Sequence, residues 1–347
     1  MNKNATYRPA VDVIRVVSIL AVVLIHTSSR TLETAHFNVN VVPWTLFLNQ
    51  VARFAVPLFF LISGFVLELN HRDKLDLAAF FKKRFGRLFI PYLFWSAVYY
   101  WFVYTKHAAG FLMTLLDGSS SYQLYFIPSI LILYLAFPVI HRLYGALTNR
   151  FVLVLLGLAE VVLLYREYFG QPLGIFFPLT IAILNYYVFL LGMVASHYEK
   201  EVIGFFKRWK FVLIAMLTGL AADIFLEGRT NYLRTYNYVA IYSQFRPSVM
   251  FYTLVIGGMF LAFTRRNGLV ERAGRLLGRL AYFVFFVHVM VLEFLWQRLG
   301  VYLVSQSGGG VIRQLWFDPA FFVLTSSISF GIAYLAHKVP GVEKLTG

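Results

Sequence analysis

Asp12-Val13-Ile14-Arg15-Val16-Val17-Ser18-Ile19-Leu20-Ala21-Val22-Val23-Leu24-Ile25-His26 is the stretch on which the fold class turns. Between Arg15 and His26 the only polar side chain is Ser18, and the run continues far enough to meet the roughly 20 residues that a bilayer-spanning helix needs. Eleven residues separate Arg15 from His26. At about 100° per residue they share one helical face, with a rise of about 16 Å between them. Asp12, three residues before Arg15, is placed to pair with it along the helix. An ionisable side chain at membrane depth costs about 2.5–3.5 kcal/mol, so both residues ask for an explanation. The structural reading is that Arg15 snorkels to lipid phosphates and His26 bonds a neighbouring helix. The chemical reading is that His26 is a general base, because an imidazole with an ordinary pKa near 6.5 is mostly neutral at physiological pH.

The composition generalises that stretch. Of 347 residues, 59% are hydrophobic and only 14% are charged, where a soluble domain carries about 25% charged. The chain therefore reads as all-α, a polytopic membrane helix bundle in which residues 1–347 form a single domain. The net charge of +15 does not point to nucleic acid, because the bases fall in short gaps between apolar runs rather than on one soluble face. Cysteine is absent, which excludes a disulfide framework, a thiol nucleophile and a thiolate metal site. The eight histidines are scattered, with no two at ligand spacing on one helix, so no metal site is expected. The first apolar run is followed by His26 and Thr27 without a small-residue cleavage site, and is expected to stay as a helix.

Apolar runs between polar gaps give about ten spans, near 12–30, 43–69, 89–105, 122–140, 151–168, 176–196, 211–226, 246–264, 280–298 and 316–336. Asp117-Gly118-Ser119-Ser120-Ser121 and Ser305-Gln306-Ser307-Gly308-Gly309-Gly310 are two of the gaps. With the N-terminus inside, 21 of the 31 Lys and Arg lie in the inner segments, 8 in the outer loops, and Arg15 and Arg53 within spans. That bias puts both termini in the cytoplasm.

The gap before the third span, Lys82-Lys83-Arg84-Phe85-Gly86-Arg87, is the most basic in the chain. Positive-inside bias accounts for Lys82 and Lys83. Arg84 and Arg87, three apart and on one face, could also hold a phosphorylated cytosolic ligand bidentately. Arg53 lies near mid-membrane and must pair, either in a functional cavity or in a structural ion pair. Ser63 precedes Gly64 in an apolar run, where small residues usually serve close helix packing; a serine nucleophile is the weaker reading. Glu160, Asp223 and Glu293 lack a motif partner. Glu293, five residues after His288, is expected on a different face from it.

Taken in order, Arg-x10-His in the first helix, Val56-Pro57-Leu58-Phe59-Phe60 with Ser63-Gly64-Phe65, and Arg84-x-x-Arg87-Leu88 with Pro91-Tyr92 resemble the acyltransferase-3 family of membrane acyltransferases. Gln123-Leu124-Tyr125-Phe126-Ile127, Tyr134-Leu135, Pro138, Leu190-Leu191-Gly192, Leu280-Ala281-Tyr282 with His288, and Lys338-Val339-Pro340-Gly341 extend the resemblance along essentially the whole chain. Length and the Arg53 to Phe60 form look most like the single-domain members, such as those that O-acetylate enterobacterial common antigen. Where many members carry His-x-Trp-Phe, this chain has Gln123-Leu124-Tyr125-Phe126, which puts that position's role and the acceptor in question. No C-terminal hydrolase-like domain of the kind fused to some members is found.

The resemblance implies an enzyme of a bacterial inner membrane that moves an acetyl or similar short acyl group from cytosolic acyl-CoA to a hydroxyl of an extracytoplasmic or lipid-linked glycan. It implies His26 as catalytic base with Arg15 at the inner end of the conduit, Arg84 and Arg87 on the CoA phosphates, and Arg53, Ser63, Gln123, Tyr125 and His288 as further substrate or cavity candidates. His288 is equally well read as a helix-contact histidine. Acetyl-CoA enters as donor substrate, with no permanently bound cofactor. Expected partners are acyl-CoA, the glycan acceptor and the lipid bilayer, with no nucleic acid; a homodimer stays open. Direct transfer and an acyl-histidine intermediate remain alternatives. A secondary transporter of a polar or anionic small molecule is the rival reading, since buried Arg, His and Glu with broken helices also suit one. Against it stands the lack of paired interruptions in two halves. A scaffold subunit of an export system is a third.

Overall fold

The computed structural model describes residues 7–34, 42–104, 109–235, 243–264, 267–300 and 310–342. The polar gap at 305–309 and the outermost terminal residues lie outside that set. Among the described residues all regular structure is helical. That follows from the apolar runs, because backbone polar groups in lipid must be satisfied within the segment. The helices are α1 (Pro9–Thr34), α2 (Val42–Val51), α3 (Ala55–His71), α4 (Leu77–Val98), α5 (Phe111–Asp117), α6 (Phe126–Arg142), α7 (Tyr144–Leu147), α8 (Arg150–Tyr168), α9 (Phe177–Ile183), α10 (Tyr186–His197), α11 (Glu199–Arg208), α12 (Lys210–Thr230), α13 (Pro247–Phe263), α14 (Gly268–Leu295) and α15 (Gly310–Ala336). Short π-helical turns continue α4, α12 and α14. Asp76, Asn149 and Asn267 cap α4, α8 and α14 by accepting from the backbone N–H of Ala79, Phe151 and Leu269.

Each of the expected spans coincides with a helix or a broken pair of helices. By length and apolar character alone, five helices among the described residues could cross a membrane, or six if the pair α9 and α10, bent by 42°, counts as one. The others fall short for local reasons. The helices α6 and α13 are 17 residues long, at the lower limit for a span. The helix α4 opens on the Lys82 to Arg87 bases, and α8 carries Arg150, Glu160, Arg166 and Glu167.

Two spans are broken. Between α2 and α3 the chain makes a tight turn, with Arg53 N–H on Gln50 O and Ala55 N–H on Ala52 O. Pro57, which has no N–H to give the Arg53 carbonyl, follows at once. Between α9 and α10 the side chain of Asn185 donates to Ile181 O at 2.9 Å, occupying a backbone acceptor at the bend.

The first helix runs through the middle, packed on α2, α3, α13, α14 and α15. On the far side of α3, α10 crosses so closely that no side chain separates the two. A Cβ on Gly64 would lie 2.0 Å from Phe189 O, and one on Gly192 would lie 2.0 Å from Leu61 O. The small residue beside Ser63 therefore serves helix packing. At one end of this crossing the buried Glu68 carboxylate of α3 is held by His141 Nδ1 of α6 at 2.8 Å and by His197 Nε2 of α10 at 2.7 Å. Phe151, Leu158, Phe211 and Trp316 project outward from the rim, as side chains facing lipid do.

Candidate functional site

The second half of α1 builds one wall of a cavity of about 390 Å³, through Val22, His26, Ser29 and Arg30 among others. The broken span supplies Arg53, the loop before α6 supplies Tyr122, Gln123 and Tyr125, and α14 supplies Phe285 and Glu293. His26 thus faces this cavity, and Arg15, eleven residues earlier on α1, does not line it.

His26 is flanked by two rings. Tyr122 lies 4.8 Å away between centroids, and His288 of α14 lies 5.3 Å away. His288 is fully buried behind His26. Its Nδ1 lies 3.0 Å from Val284 O. A carbonyl only accepts, so the proton of a neutral His288 sits on Nδ1 and its Nε2 is a lone pair. That Nε2 is buried without a hydrogen-bond partner among the described residues.

Arg53, also buried, is held by a polar chain that crosses three elements. Its guanidinium donates to Asn49 Oδ1 of α2. Asn49 Nδ2 in turn donates to Ile25 O at 3.1 Å and to Ser28 Oγ at 3.0 Å on α1. Gln50 Nε2 joins at Asn49 Oδ1, and Gln50 Oε1 accepts from Arg246, which also donates to Ile224 O. A cation so deep is retained only when its donors are satisfied in this way. The rim carries an ion pair, Arg30 to Glu293 at 2.6 Å, with Glu33 at 3.4 Å from the same guanidinium. Tyr125 OH accepts from Gln244 Nε2 at 3.3 Å on the cavity wall.

A second cluster forms toward the N-terminal half of α1. Arg15 pairs with Asp12 at 3.3 Å, as the spacing suggested. Arg84 is half-buried, its guanidinium 5.8 Å from the Tyr134 ring. Burial, and repulsion from Arg87 and Arg15, push the Arg84 guanidinium pKa down. Three cations that repel one another at the end of a bundle gain from an anion that neutralises them. Arg84 Nε, buried and without a partner among the described residues, is a donor such an anion could take up.

The structure therefore sorts the sequence candidates into two groups. His26, Arg53, Gln123 and Tyr125 share the cavity, with His288 behind His26. Arg15, Arg84 and Arg87 form the basic cluster. Ser63 is in neither. Tyr122, Arg30, Gln244 and Glu293 line the cavity without having been singled out as site residues. Arg30 had a local signal, one turn beyond His26 on the same face. Glu293 had none, since its partner lies 263 residues away.

The fold and the site define a helical membrane protein with a cavity that His26 walls and a separate basic cluster. The family follows from comparison. The model of the acyltransferase-3 family, described as an acyltransferase domain, matches residues 8–338, nearly the whole sequence. The chain belongs to that family. No curated protein and no solved structure matches it.

Proposed function

We propose that this chain is a membrane O-acyltransferase that moves an acetyl or similar short acyl group from cytosolic acyl-CoA to a hydroxyl of an extracytoplasmic or lipid-linked glycan. The observation that carries the reading is His26: an imidazole on the wall of a cavity deep in the bundle, in a chain of acyltransferase family membership. His26 takes the proton of the acceptor hydroxyl as its oxygen attacks the thioester carbonyl, and returns it to the departing thiolate. The basic cluster of Arg84 and Arg87, with Arg15 beside them, receives the CoA phosphates. The lysine and arginine distribution supports a cytoplasmic side for that cluster and an outer-half position for the cavity. It also supports the arrangement of about ten spans with both termini inside, in a bacterial cytoplasmic membrane. Resemblance to the single-domain members supports a cell-envelope glycan as acceptor.

The test is acetyl-CoA binding and acyl transfer by wild type, His26→Ala and the double variant Arg84→Ala/Arg87→Ala. His26→Ala is expected to bind acetyl-CoA and transfer nothing, while the arginine variant loses saturable binding. Retained transfer by a well-folded His26→Ala protein would remove the centre of the proposal. Absence of acetyl-CoA binding by every form would favour a transporter.

A further inference from the structure

Gln123 occupies a place that the roles of His26 and the basic cluster leave unexplained. It is 2% exposed and lines the cavity beside Tyr122, whose ring packs 4.8 Å from His26. Its amide is oriented by one bond: Ser121 Oγ donates to Gln123 Oε1 at 2.6 Å. The amide nitrogen has no hydrogen-bond partner among the described residues although it is buried. The hydroxyl of Tyr99 lies beside it. That hydroxyl already donates to Phe286 O at 2.6 Å and accepts from the Met290 N–H at 3.1 Å. An amide nitrogen carries two hydrogens, so even a contact with Tyr99 leaves one without an acceptor.

A buried donor without a partner is costly to keep, and here the backbone holds it in place. Gly118 ends α5 at φ 77°, and a Cβ there would lie 2.4 Å from the Tyr125 Cα. Only glycine permits the turn that brings 121–125 against it. Successive tight turns, Leu124 N–H to Ser121 O and Ile127 N–H to Leu124 O, then lead into α6. The side chain is thus aimed before any ligand arrives, which is what preorganised stabilisation of developing charge requires.

We infer that Gln123 donates its free N–H to the acyl carbonyl oxygen as negative charge develops there. The inference rests on His26 acting as the base in the proposed transfer. In that step the acceptor oxygen bonds to the carbonyl carbon, its proton passes to His26, and the carbonyl π electrons move onto oxygen, where Gln123 meets them. When the C–S bond breaks those electrons re-form the carbonyl, the thiolate leaves, and it takes the proton from His26.

The experiment uses membranes of cells lacking the chromosomal copy, with each variant expressed in them, so that the native acceptor is present. Radiolabelled acetyl-CoA is varied and label in the polysaccharide is measured. Gln123→Met removes the donor at nearly constant volume. Gln123→Glu keeps the Ser121 bond and loses the N–H, and serves should the Met variant fail to accumulate. Gln123→His retains the arrangement, with Nδ1 accepting from Ser121 and Nε2–H donating. Expected are a fall of about a hundred- to a thousandfold in kcat for the donor-less variants, acetyl-CoA KM within about threefold of wild type, and substantial recovery in Gln123→His. Wild-type activity with kcat unchanged in the donor-less variants, or a raised KM alone, overturns the donor role and leaves the acyltransferase reading standing. No labelling by wild type overturns that reading, and the donor role with it.

Discussion

Arg246 has no exposed surface, yet its guanidinium reaches Ile224 O at 3.1 Å and Gln50 Oε1 at 2.5 Å, and through Gln50 and Asn49 it is linked to Arg53. Replacing it by methionine removes the bonds that this buried guanidinium gives to Ile224 O and Gln50 Oε1, at about 1–3 kcal/mol in all. Arg246→Met is therefore expected to melt several degrees below wild type in detergent, and an unchanged melting curve would deny the chain of bonds its structural weight. Because Arg53 sits at the cavity end of that chain, acyl transfer should fall in the same variant. How far such detail was legible in sequence depends on range. His26, Arg15 and Asp12 declared themselves because helical spacing is local. The Arg30 to Glu293 pair and the Gln50 to Arg246 contact did not, because each joins residues nearly 200 or more apart. Gln123 drew notice as a departure from the family pattern, but that its amide nitrogen is left unpartnered is a fact of packing.

Apolar runs told where helices would be, and each expected span has its helix. They did not tell where a helix breaks. A proline in an apolar run, such as Pro57, does not by itself distinguish a kink from the tight turn found at Arg53, and Asn185 carries no signal that distinguishes a bend from an ordinary polar contact. The crossing of α3 and α10 was half-visible, as Gly64 in an apolar run. The structure adds the partner, Gly192, and the closeness of the approach. Gly64→Ala and Gly192→Ala are each expected to yield little folded protein, because the new methyl would overlap a backbone carbonyl. Gly219→Ala on α12, where a Cβ meets nothing within 4 Å, is the matched control and should accumulate normally. Comparable yields by gel filtration for all three would show that the helices can separate at little cost.

At the scale of the molecule, the absence of cysteine offers a clean test of topology. A single Lys74→Cys, in the exposed turn after α3, should react with an impermeant maleimide only once the cytoplasmic face is opened. Gln171→Cys, exposed after α8, should react in intact spheroplasts. The reverse pattern, or both sites on one side, would require a different number of crossings. The expected sidedness rests on charge bias, which is a sum over many residues. The cavity was not readable in this way, since it exists only where six separate segments meet. The backbone contact at Gly64 and Gly192 also has a mechanical meaning. With no layer of rotatable side chains between them, α3 and α10 make a strut that passes displacement on without absorbing it. Under the proposed transfer an acyl group has to reach His26, and the strut gives no width for its passage. Any widening has to come from other seams, such as the one that Trp95 of α4 and Phe286 of α14 fill with rings stacked 6.1 Å apart.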